Sequence, residues 1–498
     1  MSAGAGAGAN FRRERLGWAF GLSAAQLAVC TTAVAPLLGA MSVGQYRTAL
    51  VGLPFMVLMV GLATVPIRDR VAVVWLTHWV RHTVGTATGW SQWQSRAAAG
   101  RVVPPDDPDL PGVLTRFTLP DGPILAEHGR ICLTHDTVED RWGAAAKLSF
   151  AGVGLISATE CAALGQGMGQ LAVSLNASRR VNRFSFYLRT VPDDGARYAD
   201  YRHTHRGADI PELVKTSAEQ MARMTGSAAV LTEAFLHVSA KESTLAARAR
   251  DGGGGVAGRG YALYPALTGL SEPLAAMGVD PPAWLTGEGM AEAIRTGFCP
   301  AASAAVTRRH LTGRPGLPKA VAGPTRASGA NGRIYYHDGY ATVSFTVMMS
   351  GLNLPFGALA PLLSVRTAGE RRCVAVHFEV IESKEARRIA SRERQHTTGM
   401  RSIKASKGFG VKAADSRAQA SAERQEQAVA AGHALLRAAV VVSTTVPADW
   451  TVNEHADALE NDIVSRFVPV RLDLVQDAAF VAAAIPVGLG LQKVRGEW

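Results

Sequence analysis

Between Leu16 and Arg47 the chain carries no charged side chain, and between Arg47 and Arg68 it again carries none. Two apolar spans, residues 17–41 and 48–67, are separated only by a short stretch at 42–46. A bilayer core about 30 Å thick is crossed by about 20 apolar residues in a helix, so the pattern predicts a transmembrane hairpin over residues 11–67. Arg12, Arg13 and Arg15 precede the first span, Arg68, Arg70 and Arg81 follow the second, and only Arg47 lies between. Basic flanks stay on the cytoplasmic side, which predicts an inner-membrane protein with two spans and both termini in the cytoplasm. A cleaved signal peptide also starts with arginines before an apolar run, but a second full-length span directly afterwards argues against it. The Ala/Gly run over residues 1–10 predicts a disordered tail.

Residues 71–80 are nearly all apolar and hold Trp75 and Trp79, with Trp90 and Trp93 following. Ten residues are too few to cross a bilayer. Residues 68–103 therefore read as a juxtamembrane, interfacial helix, its four tryptophans anchored at the membrane–water boundary. A core helix of the soluble body is the competing reading. His78 and His82 stand one turn apart with no third metal ligand nearby.

Beyond a Pro/Asp linker at 103–111, segments of period two alternate with segments of helical period. Strands are expected at 147–155, 181–191 and 229–239, and a helix at 160–175. Asp209-Ile-Pro-Glu212 has the form of a capping box with an early proline and opens a helix to about Met224. Four consecutive glycines within 250–260 predict a flexible loop, and 261–277 a helix. After a linker at 312–332, strands are expected at 341–349, 373–381, 438–446 and 468–475. Between them fall a proline-broken helix at 354–363, two charged helices with a mobile elbow over 384–437, and a helix from Thr451-x-x-Glu454 to about Arg466. The order predicts an α+β fold whose body comprises two split βαβ-like halves, residues 104–290 and 291–498.

Five scattered cysteines, none in a C-x-x-C pair, suggest neither a disulfide framework nor a zinc site. The formal charge of +11 is uneven: residues 384–425 hold eleven Lys/Arg against four acids, an excess of seven. Arg387, Arg388, Arg392, Arg394, Lys404 and Lys407 are the candidate contacts there, to a protein partner or to anionic membrane lipid. Nucleic acid is a less favoured partner, and a merely solvated face is the plainest alternative. No Gly-Lys dipeptide occurs, which excludes the usual phosphate loop, and no H-E-x-x-H, G-x-S-x-G or catalytic-cysteine signature is present. Gly165-x-Gly167-x-Gly169 lies in a helical run and reads as helix packing. Asp106-Asp107 and Asp193-Asp194 read as turn residues, and His203-x-His205 lacks further ligands. The expectation is a protein that is not an enzyme, with no catalytic residue, cofactor or metal.

The layout resembles a known family. The hairpin ending in Ile67-Arg-Asp-Arg70 is similar to the small two-span membrane subunit of type IV secretion and conjugation machines. Gly289-Met-Ala-Glu-Ala-Ile-Arg-Thr-Gly-Phe-Cys-Pro300, residues 343–361, the 384–437 helices, 438–446 and the closing 476–490 resemble the amino-terminal domain of the CagE/TrbE/VirB-type secretion ATPase. In such domains an A-F-x-x-x-x-P-G-like ending leads into the ATPase core, and Ala479-Phe480 and Pro486-Val-Gly488 stand at that place. The whole is most similar to actinobacterial conjugation-associated integral membrane proteins, in which the two pieces are fused and the ATPase is separate. The resemblance implies a membrane-anchored scaffold that docks a separate secretion ATPase and other channel subunits within a multimeric complex. A type VII secretion membrane component, a membrane-tethered enzyme and a DNA-binding membrane anchor are the alternatives.

Overall fold

The computed structural model describes residues 24–490, apart from 65, 68–69, 126–127, 153–155, 193–194, 206–209, 227–229, 350–355 and 407–412. The fold is α+β, and among the described residues its centre is a single antiparallel sheet of 14 strands. In chain order these are β1 (Gln92–Gln94), β2 (Phe117–Thr118), β3 (Asp121–Leu125), β4 (Gly129–Asp136), β5 (Arg141–Leu148), β6 (Arg183–Pro192) and β7 (Val230–Lys241). Then come β8 (Ala283–Trp284), β9 (Arg326–Ser328), β10 (Tyr335–His337), β11 (Tyr340–Met348), β12 (Arg371–Ile381), β13 (Leu435–Pro447) and β14 (Val468–Arg471). The spatial order is β1-β9-β10-β11-β13-β12-β6-β7-β5-β4-β2, with β8 beside β5, β14 beside β11 and β3 beside β4.

Helices α1 (Ala24–Ser42), α2 (Tyr46–Thr64) and α3 (Ala72–Ala87) precede the sheet. Gln26 Nε2 donates to the Ala63 carbonyl at 2.8 Å, joining the start of α1 to the end of α2 across the turn at Val43–Gln45. By length and composition α2 can cross a membrane, while the apolar part of α1 is the shorter Val29–Ser42. The described residues thus contain one qualifying span where the sequence pattern predicts two. That helix ends at Thr64, three residues short of the expected boundary, and residues 17–23 of the first expected span lie outside the described part.

The sheet is built twice from one plan. In the first half, β5 leads through α4 (Ala158–Ser178) to β6, an arm of two helices follows, α5 (Ala196–His205) and α6 (Glu212–Gly226), and β7 returns between β5 and β6. Helix α7 (Glu242–Asp251), α8 (Gly255–Thr268) and α9 (Ser271–Ala275) then lead to β8 at the far edge of β5, and α10 (Gly287–Phe298) and α11 (Ala302–Leu311) follow. In the second half, β11 leads to β12, and an arm of α12 (Ser383–Ser406) and α13 (Ala413–Ala430) follows. Strand β13 returns between β11 and β12, α14 (Val452–Val464) leads to β14 at the far edge of β11, and α15 (Gln476–Ala484) closes the unit. Each first strand also has a hairpin partner before it, β4 for β5 and β10 for β11. The halves join where β6 pairs antiparallel with β12, from Cys373 opposite Arg189 to Glu379 opposite Arg183.

Alternation along the strands divides the core into layers. Ala145, Tyr187, Phe235, Cys373, Ala375 and Val441 face one side, where α10 and α15 lie over both halves and share one core with Phe298, Phe480 and Ile485. The opposite face is split. Ala144, Phe184, Leu236 and Val238 pack under α4 and α8 in the first half, and Val343, Phe345, Val440 and Val442 under α14 in the second.

Several elements depart from the sequence pattern. The strand expected at 147–155 is Arg141–Leu148, because buried Arg141 and the Gly-Ala-Ala-Ala run extend on the ladder to β7. The glycine loop at 250–260 shrinks, since α8 starts at Gly255. The strand expected at 468–475 stops at Arg471, and Leu474 adopts a left-handed backbone with φ +68°. Of the helix expected at 354–363 only a single 3-10 turn, Ala360–Leu363, is present in the described part. Thr451 precedes α14 without a side-chain cap bond, whereas Ser157 and Glu160 form a reciprocal capping box on α4.

Candidate functional site

The basic segment forms the arm α12–α13. Ala386, Ala390, Ala422 and Val429 are buried and, with Ile381, seat the base of the arm. Glu426 fastens the two helices, taking Arg394 Nη1 at 2.8 Å and Ser391 Oγ at 3.3 Å. At 100° per residue, Lys384, Arg388 and Arg392 fall on the face opposite Ala386 and Ala390, with Arg387 beside them, and all four are exposed. Like charges at i, i+4 cost a helix about 0.2–0.5 kcal/mol each, so this stripe does not serve the helix's own stability. Of the six candidate contacts, Arg387, Arg388 and Arg392 thus face outward and Arg394 is committed within the arm. The side chain of Lys404 and all of Lys407 lie outside the described residues.

The tryptophans are placed on two elements. Trp75 and Trp79 lie on α3, Trp79 being 45% exposed, and Trp90 stands 76% exposed in the turn beyond it. Trp93 is on β1, opposite Ala327 of β9, and packs against the shared core. Helix α3 and the body therefore meet within a few residues, and His82 Nε2, 3.2 Å from the Gly329 carbonyl, ties α3 to the sheet.

Under α10 and α15 runs a buried polar layer that sequence reasoning missed. Arg189 Nη1 donates to the Ala293 and Ala484 carbonyls at 2.8 and 3.1 Å, and its Nη2 reaches Glu233 at 2.8 Å. Arg371 donates to the Thr296 and Gly297 carbonyls at 2.7 and 2.5 Å. Two guanidiniums thus meet the negative carbonyl ends of both helices. Burial works to raise the Glu233 carboxyl, but Arg189 and Lys147 outweigh it and hold it below the usual range.

Three histidines share this layer. His237 Nε2 lies 2.8 Å from Thr134 Oγ1, His337 Nδ1 lies 2.6 Å from the Phe298 carbonyl, and His377 lies between Ser185 Oγ at 2.9 Å and the Ala482 carbonyl at 3.0 Å. Burial pushes all three down, to about 3, about 3 and about 4, with nearby Arg141 and Arg371 adding to it at His237 and His337. They are neutral at physiological pH. The signal for the layer was period-two placement of Arg183, Ser185, Arg189, His237 and His377 on strands, which alternation alone assigns to solvent.

The remaining motifs find structural partners. A Cβ on Gly167 would stand 2.5 Å from the Ala276 carbonyl, so that glycine lets α4 approach α9. Asp107 pairs with Arg96 at 2.8 Å in its loop, while Asp193, Asp194 and the side chain of His203 lie outside the described residues. Cys30, Cys132, Cys161, Cys299 and Cys373 are all free thiols, and burial pushes Cys132 up to about 12. Among the described residues no group of three or more His, Cys, Asp or Glu could hold a metal. No family model matches the chain, and no curated protein matches it significantly.

Proposed function

We propose that this chain is a membrane-anchored scaffold subunit of a conjugation-type secretion apparatus, presenting a large α+β body to a separate motor ATPase in the cytoplasm. The observation that carries the reading is α2. Leu50, Val51, Phe55 and Val57 are 72, 80, 64 and 59% exposed. Apolar surface in water costs about 25 cal/mol per Å², a cost that a bilayer removes. Helix α1 runs back against α2, so both enter the bilayer together as a two-span hairpin with its turn at the outer face. The body's split halves then lie inside, as the arginine flanks require. Its long continuous sheet, with two arms, suits docking rather than turnover, and the resemblance to secretion subunits points the same way.

Topology tests this. In a cysteine-free background, Ser42→Cys should react with an impermeant thiol reagent from outside intact cells, and Ser95→Cys should not. Labelling at Ser95, or extraction of the chain by alkaline carbonate, would overturn the anchor. Co-purification of a motor ATPase with the chain tests the scaffold role, and its absence under conditions that preserve the membrane complex would count against it.

A further inference from the structure

The repeated plan supplies an internal comparison. The arms α5–α6 and α12–α13 occupy the same step of the two halves, between the second strand and the strand that returns to its side. Residues 196–226 carry five Lys/Arg against four acids, whereas 383–430 carry eleven against five. Both sequences make a helical arm, so this step of the fold does not require strong positive charge. The excess of the second arm is therefore not needed to form it, and Lys384, Arg387, Arg388 and Arg392 of that excess lie on the outer face.

We propose that the α12–α13 arm lies on the anionic inner leaflet, with Lys384, Arg387, Arg388 and Arg392 as phospholipid headgroup contacts. The inference rests on the membrane reading of α2. Tethering decides the partner. For a free protein, four exposed cations give little hold on a duplex at physiological salt, because each phosphate contact steepens the loss of affinity with salt. For a chain already held at the membrane, the second contact is intramolecular and its effective concentration is high, and a basic segment beside an anionic leaflet is attracted within a Debye length. Helix α12 is 24 residues long, about 36 Å, so its outer stripe can lie along a flat surface. Neither helix of the arm contains Phe, Trp or Tyr to stack on bases.

The full chain is incorporated in nanodiscs of phosphatidylcholine alone or with 30 mol% phosphatidylglycerol, carrying a fluorophore at Gln395→Cys on the outer stripe. Quenching by headgroup-labelled lipid should be at least about threefold stronger in the anionic discs. The R387Q/R388Q/R392Q and R387E/R388E/R392E variants, or half-molar salt, should return it to the neutral-disc level. Equal quenching in both discs, or quenching indifferent to the variants, overturns the proposal. So does submicromolar binding of a duplex oligonucleotide at physiological salt that the variants abolish, which would assign the arm to nucleic acid. A chain that does not enter neutral discs removes the anchor instead. Flotation with anionic vesicles then decides the arm: loss of flotation in the charge-reversed variant supports headgroup contact, and unchanged flotation refutes it.

Discussion

Arg189 Nη1 lies 3.1 Å from the carbonyl oxygen of Ala484, 295 residues later in the chain. The same nitrogen donates to Ala293 in the helix that holds the equivalent place in the first half. One side chain thus holds the terminal helices of both halves on the strand where the halves join. Because Arg189 is fully buried, its charge is stabilised by these carbonyls, Thr296, Glu233 and the face of the Phe235 ring.

Arg189→Ala should therefore cost about 3–5 kcal/mol, since it leaves Glu233 with Lys147 alone and the two helix ends unpaired in the interior. Replacing Arg189 and Glu233 together by methionine should recover much of that loss, as apolar pairs of similar volume often do. Chemical denaturation of the body gives both values. A single-variant loss below about 1 kcal/mol, the range of an exposed ion pair, would show that the contact is not structural.

The three buried histidines set an acid limit. Their folded values, about 3, 3 and 4, lie below the unfolded value near 6.5. The unfolded chain binds more protons between these limits, so stability falls as pH drops below about 6.5. Each histidine contributes a slope of up to about 1.4 kcal/mol per pH unit. Depressed carboxylates such as Glu233 and Asp462 add their loss only at lower pH. Melting temperature should fall steeply between pH 7 and 5, and His237→Gln should flatten that fall whatever it does at pH 7. An unchanged slope in this variant would remove His237 from the account.

Gly167 and Gly169 on α4 give a matched pair. An added Cβ meets the Ala276 carbonyl at 2.5 Å from Gly167 and nothing within 4 Å from Gly169. Gly169→Ala should stabilise by about 0.5–1 kcal/mol through helix propensity, and Gly167→Ala should destabilise. Equal responses in thermal unfolding would refute the packing role of Gly167.

Gly488 closes the tail on the sheet. Its φ is +78°, a Cβ would stand 2.4 Å from His237 Nδ1, and its N–H donates to Tyr187 Oη at 2.9 Å. Gly488→Ala should cost about 1–3 kcal/mol and make the segment after α15 cleavable by protease. Gly253→Ala, at φ +91° with open space around it, serves as the comparison in which backbone strain acts alone. Equal protease resistance in the two variants would exclude a clamp at His237.

Long apolar strands were legible because period two survives in them: Phe184 and Phe186, Val343 and Val347, Val374 and Val376 each mark one face. So were the two charged helices of the second arm and the glycine-driven packing of α4. What stayed hidden has a common cause. Arg141, Trp142, Gly143 and the three alanines after them form a buried strand with little β propensity of their own, fixed instead by the ladder to β7. The polar layer was hidden for the opposite reason. Arg189, Arg371 and His377 look solvent-facing by pattern, and only the arrival of α10 and α15, far away in sequence, makes that face interior. The pairing of β6 with β12 was equally invisible, because it joins segments far apart in the sequence.

The seam between the halves has a mechanical meaning. The arms leave from Pro192 and Ile381, the C-terminal ends of β6 and β12, and because those strands run antiparallel the arms depart at opposite ends of the sheet. Partners pulling the two arms apart would load the seam along its strands. Its ladder from Arg183 to Arg189 would then resist in shear, all rungs sharing the force, and would not unzip one rung at a time. A body built this way can transmit tension between what holds one arm and what holds the other without coming apart in the middle.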